Sequence, residues 1–219
     1  LGEQGLAEVV STFMGAHTFP PDSSRSEYIE QIEQMLPEAA ELAEYCDVFC
    51  EEGAFTINES RRLLEAAREA GMGLRIHADE FGDTGGGTLG AELKVASADH
   101  LSGSSMATIE ALRDAGVTGI LLPGTPLALL SSEFAPARKM AAAGLPLALA
   151  TDCNPNCYTE SMQMVMQLAV FRMGLKPGEA LTAATLNGAL ALGRSNRGAI
   201  APGWRADLLV CNVPDYRHL

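Results

Sequence analysis

The sequence predicts an α/β fold whose parallel strands curl into a (β/α)8-type barrel, and three observations carry that prediction. Six short apolar runs alternate with longer stretches of helical period. The 22 glycines and the 5% aromatic content over 219 residues suit a chain with many tight turns between strand and helix. His17, Glu51, His77, Asp99 with His100, and Asp152 all fall at the C-terminal ends of different strands. An open doubly wound sheet also fits the alternation, but polar residues converging from so many strand ends favour the barrel.

The predicted strands are the runs at 9–15, 46–51, 73–77, 95–99, 119–122 and 146–151. Helices are expected over 26–45, 58–70, 104–115, 126–143, 159–173 and 177–190. Asn58 is the expected N-cap of the second helix, Gly71 and Gly116 are expected left-handed caps, and Pro177 suits a first helical position. Strands separated by helices require right-handed crossovers and therefore a parallel sheet. Beyond the last helix, 197–210 changes character, with Pro202-Gly203 between two strand-like runs, and a hairpin outside the barrel is expected there. The domain reading is residues 1–195 for the barrel and 196–219 for the hairpin.

With 47% hydrophobic residues the chain can bury a substantial core. The formal charge of -13, with 15 scattered Lys and Arg, argues against nucleic acid as a partner. No run of 18 apolar residues is present, and the first residues lack a basic segment followed by an apolar one, so neither membrane spanning nor secretion is expected. Five cysteines, an odd number in a chain of this size, suit reduced thiols and a cytoplasmic location. Cys46 and Cys50 lie in an apolar strand-like run and no CxxC pair exists, which sets a zinc knuckle aside. The chain opens at Leu1 on what reads as the tail of an element, so a piece of a longer protein is expected.

Chemistry concentrates at the strand ends. His77 follows Leu74-Arg75-Ile76 and precedes Ala78-Asp79-Glu80, placing an imidazole where a buried strand opens and a carboxylate three residues on. Neutral imidazole is a zinc or iron ligand, and Glu80 is placed to accept a proton from activated water. The plainer alternative is a hydrogen-bonded core histidine beside a solvated acidic loop. Ser97-Ala98-Asp99-His100 repeats the arrangement one strand later, and His100 there can ligate, polarise a carbonyl or orient a nucleophile. Ala148-Leu149-Ala150-Thr151-Asp152 ends an apolar run on a carboxylate, which needs a cation or hydrogen-bond donors; an N-cap role is the alternative. His17 is a third strand-end histidine among four in the chain. Cys153 and Cys157 flank an Asn-Pro-Asn turn and also admit a thiol nucleophile with His100 or His77 as base. The glycine-rich 82–87 matches neither phosphate-loop spacing and reads as a mobile active-site loop.

Along essentially the whole chain, Met14-Gly15-Ala16-His17, Asp47-Val48-Phe49-Cys50-Glu51, His77-Ala78-Asp79-Glu80, Ser97-Ala98-Asp99-His100, Leu121-Leu122-Pro123-Gly124-Thr125, Thr151-Asp152-Cys153-Asn154-Pro155 and Gly203-Trp204-Arg205-Ala206-Asp207-Leu208 resemble the imidazolonepropionase family of the amidohydrolase superfamily. The resemblance implies a partial TIM-type barrel, about strands 3–8, with the start of a C-terminal β-sandwich segment. It implies hydrolysis of the cyclic amide C–N bond of 4-imidazolone-5-propanoate, giving N-formimidoyl-L-glutamate in histidine degradation. One zinc or iron ion would be held by His77 and Asp152. Glu80, His100 and Asp152 would be catalytic, and His17, Glu80, Asn154, Asn156 and Cys157 would bind substrate.

Two departures qualify the resemblance. Many family members have Gly and then Ser or Thr where Asn156 and Cys157 stand, which puts a hydroxyl contact in doubt. The HxH pair of the first barrel strand is missing, as is the N-terminal substrate-binding region, so this chain by itself is expected to be inactive. Three other readings remain open: another amidohydrolase, such as a cyclic amidase or nucleobase aminohydrolase; an inactive fragment or assembly module; and a thiol hydrolase. A homodimer is compatible with the sequence.

Overall fold

The computed structural model describes residues 8–218. At its centre a six-stranded parallel sheet runs β1 (Thr12–Ala16), β2 (Tyr45–Cys50), β3 (Gly73–Ala78), β4 (Ser97–His100), β5 (Thr118–Leu121) and β6 (Leu147–Leu149), and spatial order equals chain order. A doubly wound sheet reverses direction at a switch point; this one never does, so every crossover advances the same way, as in a barrel wall. The tail of an element expected at Leu1 lies outside the described residues.

Alternation within the strands separates two faces. On β2, Cys46, Val48 and Cys50 join Ile76 of β3, Ala98 of β4 and Leu121 of β5 in the main apolar cluster with the helices. Each large aliphatic side chain so buried contributes about 1.5–3 kcal/mol. The opposite, inner face carries polar groups toward β2–β4 and a small apolar cluster of Ile120, Leu122, Ala148 and Ala191 toward β5 and β6. Register places Phe49 beside His77, His77 beside Asp99, Asp99 beside Ile120 and Ile120 beside Ala148.

Helices follow the strands: α1 (Arg25–Leu42), α2 (Ile57–Glu69), α3 (Gly86–Leu93), α4 (Met106–Ala115), α5 (Gly124–Ala128), α6 (Ala137–Ala142), α7 (Met162–Phe171), α8 (Pro177–Ala184) and α9 (Leu186–Ala191). Gly71 and Gly116 take the expected left-handed conformation, and Pro177 opens α8. The cap of α2 is Thr56 instead of Asn58, because the Thr56 hydroxyl accepts from the Glu59 amide while Glu59 accepts from the Thr56 amide.

Three further elements differ from the expectation. The predicted helix 126–143 is two short helices, separated by a segment with Leu130 at φ 56° and Pro136 before α6. The helix expected over 177–190 breaks at Thr185 (φ -122°, ψ -85°). The glycine-rich segment, read as a mobile loop, ends in α3, whose glycines permit contact with the sheet. A Cβ on Gly86 would sit 2.9 Å from that of Ala78, and one on Gly90 would sit 3.1 Å from Ile76.

Residues 197–210 turn at Pro202-Gly203 but form no strand, so the hairpin expected there is not present among the described residues. The Trp204 amide donates to Ala201 and the Arg205 amide to Asn196. Arg194, Arg197 and Arg205 converge on Glu8, tying this segment to the approach to β1.

Candidate metal centre

His17 follows β1 directly, and its ring meets that of His77 edge-on with centroids 4.8 Å apart. His77 sits mid-row on the inner face, and His100 ends β4 with its ring 5.1 Å from that of His77. The three strand-end histidines therefore come together on one side of the sheet. Glu80 joins them, with its carboxylate 3.6 Å from His100 Nε2.

The turns that deliver these groups use left-handed backbone at non-glycine residues: Asp79 (φ 53°), His100 (φ 72°), Leu101 (φ 56°) and Asp152 (φ 53°). Such conformations cost about 1 kcal/mol or more each and cluster at functional sites, held there by their surroundings. At Asp79 the surroundings are explicit. Its fully buried carboxylate accepts from the Thr84 amide and hydroxyl (both 3.2 Å), the Gly87 amide (3.3 Å) and the Ser104 hydroxyl (2.7 Å). Loops after β3 and β4 are thus pinned together, and a Cβ on Gly103 would lie 2.5 Å from the Gly82 carbonyl carbon. From the other side, the buried Glu51 carboxylate accepts from the Glu80 amide (2.8 Å) and the Phe81 amide (3.3 Å).

Asp152 accepts from the Thr125 hydroxyl and from the Asn154 side-chain amide (3.0 Å). Asn154 closes a turn through its own Oδ1, which accepts from the amides of Asn156 (2.8 Å) and Cys157 (3.2 Å). Asn156 is exposed, whereas the Cys157 thiol is buried with its sulfur 3.6 Å from the Thr151 carbonyl. Burial pushes that thiol up, away from the thiolate a nucleophile needs. Cys153 is exposed.

Two buried carboxylates join the site without a role expected from the sequence: Asp47, inside β2, and Asp99, next to the end of β4. Asp47, in the middle of β2, places Oδ2 2.8 Å from His77 Nδ1 and 3.6 Å from His17 Nε2. Asp99, beside His77 in register, is 4.0 Å from the same Nδ1. The signal was present for Asp47: a charged residue inside the run Tyr45-Cys46-Asp47-Val48-Phe49-Cys50 must meet a partner on the inner face.

Electrostatics separate the roles. Burial alone raises the Asp47 carboxyl, but His77 and His17 reverse this and hold it well below the usual carboxylate range. Burial likewise opposes protonation of His77, and the Asp47 carboxylate outweighs it, raising the imidazole to about 10 in the absence of a cation. Burial and the neighbouring His77 lower His100 to about 3, so its imidazole is neutral. Burial and the Asp152 carboxylate raise Glu80 to about 7. Burial raises Asp99 to about 6.

The donor set fits a cation. His17, Asp47 and His77 each offer a ligand atom, all within 4.8 Å of one another. His17 Nε2, Asp47 Oδ1, His77 Nδ1 and Asp99 Oδ1 are buried without an aligned hydrogen-bond partner among the described residues. Orphaned polar atoms concentrated in one place call for a charged guest or water. Imidazole and carboxylate donors suit zinc or iron more than calcium or magnesium. Asp152 is not a member of that triad, although its charge acts on both His77 and Glu80.

The imidazolonepropionase of Geobacillus kaustophilus is 47% identical over 219 residues, covering 97% of this chain and 51% of that protein. The imidazolonepropionase of Syntrophobacter fumaroxidans is 48% identical over 217 residues, covering 96% and 51%. The chain thus spans about half the length of the curated relatives it matches. Among solved structures, a zinc-bound adenosine deaminase from Xanthomonas campestris superposes with a TM-score of 0.68 at 24% identity, over 88% of this chain and 50% of that one. A guanine deaminase from C. acetobutylicum gives 0.68 at 15% identity, over 88% and 54%. Those likenesses establish a partial TIM-type barrel. Residues 4–218 match the Amidohydrolase family, and the chain belongs to it.

Proposed function

We propose that this chain forms the C-terminal part of the catalytic barrel of a metal-dependent hydrolase that opens 4-imidazolone-5-propanoate at its cyclic amide C–N bond, yielding N-formimidoyl-L-glutamate in histidine degradation. The observation that carries the reading is the pairing of Glu80, raised to about 7, with the neutral His100 3.6 Å away, on the floor formed by His77. The relatives named imidazolonepropionase support the substrate.

One zinc or iron ion would be held by His77 and Asp152, with further ligands of the HxH type from the same polypeptide. When bound, the ion supplies Lewis acidity at the ring carbonyl and makes water more acidic. Glu80 takes a proton from the attacking water as its oxygen bonds the carbonyl carbon, because a carboxylate near pH 7 is matched to that transfer. His100 donates a hydrogen bond to the oxygen that gains charge, which a neutral imidazole does without itself losing a proton. The C–N bond then breaks, and Glu80 returns the proton to the departing nitrogen. His17, beside His77, contacts substrate, and Asn154, Asn156 and Cys157 border it along their turn. In Cys157 the buried thiol leaves that contact to the backbone.

Residues 1–195 would be the barrel part and 196–219 the return to a small β-sandwich. Ile200 and the apolar run Leu208-Leu209-Val210 support this, since each of these side chains is more than half exposed here. No described helix is long and apolar enough to cross a membrane, and a cytoplasmic site of action fits the five unpaired thiols.

The test is direct assay of the intact gene product carrying this chain, supplied with zinc or iron. Loss of 4-imidazolone-5-propanoate and appearance of N-formimidoyl-L-glutamate are expected. Turnover of nucleobases with the imidazolone untouched refutes the substrate assignment.

A further inference from the structure

We propose that Asp47 is the positioning residue of this site: one carboxylate that fixes the His77 imidazole for the cation and steadies the His17 imidazole beside it. The inference rests on the function proposed above, to which it adds a residue.

The strand pattern sets the placement. Cys46, Val48 and Cys50 project into the helical layer, so Asp47 projects inward, where it is 2% exposed. Register puts Arg75 beside Asp47, and an ion pair between them would be the ordinary outcome. Instead the Arg75 guanidinium lies over the Tyr45 ring (4.1 Å) and donates to Ser97 Oγ (3.0 Å) and the Ala191 carbonyl (2.8 Å). Asp47 is left to the imidazoles, 2.8 Å from His77 Nδ1 and 3.6 Å from His17 Nε2.

A buried carboxylate at Nδ1 keeps a proton there and leaves Nε2 as the lone-pair donor, which fixes both tautomer and ring direction. The 2.8 Å approach lies off the N–H direction, so Nδ1 lacks an aligned partner in this ring setting. Turning the ring about its Cβ–Cγ bond would bring that N–H onto Asp47 Oδ2. Asp99 is the competing acceptor, but at 4.0 Å it is too far to hold the proton.

Zinc affinity of the intact gene product, read by chelator competition, tests the assignment. Asp47→Asn keeps the shape but offers no anionic acceptor, and its zinc Kd is expected to rise about ten- to a hundredfold. A change below twofold overturns the proposal. Complete loss of zinc, equal to that of His77→Ala, overturns it as well, because Asp47 would then be a ligand.

A second readout does not depend on the variant folding. In histidine-labelled wild type, NMR is expected to show a proton on His77 Nδ1 shifted downfield by a carboxylate, and zinc addition is expected to move Nε2. Movement of Nδ1 instead refutes the positioning role. Wild type that binds no zinc refutes the proposed function, while the Nδ1 proton still decides the role of Asp47.

Discussion

Replacing Asp79 by Ala is expected to destabilise the chain by roughly 4 kcal/mol, although Asp79 is assigned no contact with substrate. Its carboxylate accepts from two hydroxyls and two backbone amides. The Thr84 hydroxyl, half-buried, can turn to water, but the Gly87 amide and the Ser104 hydroxyl are buried. Leaving those two without an acceptor costs about 1–3 kcal/mol each at the usual scale, or roughly 3 kcal/mol together after local relaxation. Alanine at φ 53° adds about 1 kcal/mol, since it lacks the local bonding by which Asp tolerates the left-handed region. At about 2–4 °C per kcal/mol for a chain of this size, the melting temperature should fall by about 8–16 °C. Urea and thermal unfolding followed by circular dichroism measure this, with Ser104→Ala expected near 1 kcal/mol. A loss under about 1 kcal/mol for Asp79→Ala would show that the two loops are held together by something other than this carboxylate.

Glu51 acts on Glu80 through the backbone, so Glu51→Ala should lower kcat about tenfold or more with KM little changed, while Glu51→Gln, which keeps an acceptor, should recover most of the rate. Equal losses in the two variants, or a change confined to KM, would refute that role. Glu80 makes stability depend on pH in a fixed sense. Its folded value, about 7, lies above its ordinary 4.5, so the neutral form is favoured by folding; the contribution is complete below pH 4.5 and is lost as pH rises through about 7. In the metal-free protein, Glu80→Gln should flatten the stability curve over that window, and parallel curves for wild type and variant would refute the assignment.

The parallel alternation and the strand-end histidines were legible because burial on both faces leaves strands no freedom to be polar except where they end. His77, His100 and His17 therefore meet as their positions require. Asp47 was not legible by that rule, since it lies mid-strand and only the in–out alternation of β2 reveals its direction. The α3 helix was hidden because Gly86, Gly87 and Gly90 resemble a flexible loop in composition. Their function is close packing: a Cβ on Gly87 would meet both Thr108 and the Asp79 carboxylate within 2.7 Å. The break between α5 and α6 had a visible marker in Pro136, which cannot continue a helix from the preceding turn. The left-handed turns at Asp79, His100 and Asp152 had none, because Asp and His enter that region only where neighbouring donors or packing hold them.

Strand order equal to chain order also fixes a sequence of assembly. Each ladder joins neighbours in the chain, from Thr12 with Tyr45 to Gly119 with Leu147, so each loop closure is short and every strand finds its template already made. Such a chain can accrete on the ribosome one βαβ unit at a time, with the emerging strand docking on the last one formed. The catalytic floor follows a different schedule. His17 is laid down with β1 and Asp152 only after β6, so these two residues share a site only once the strand before Asp152 has docked.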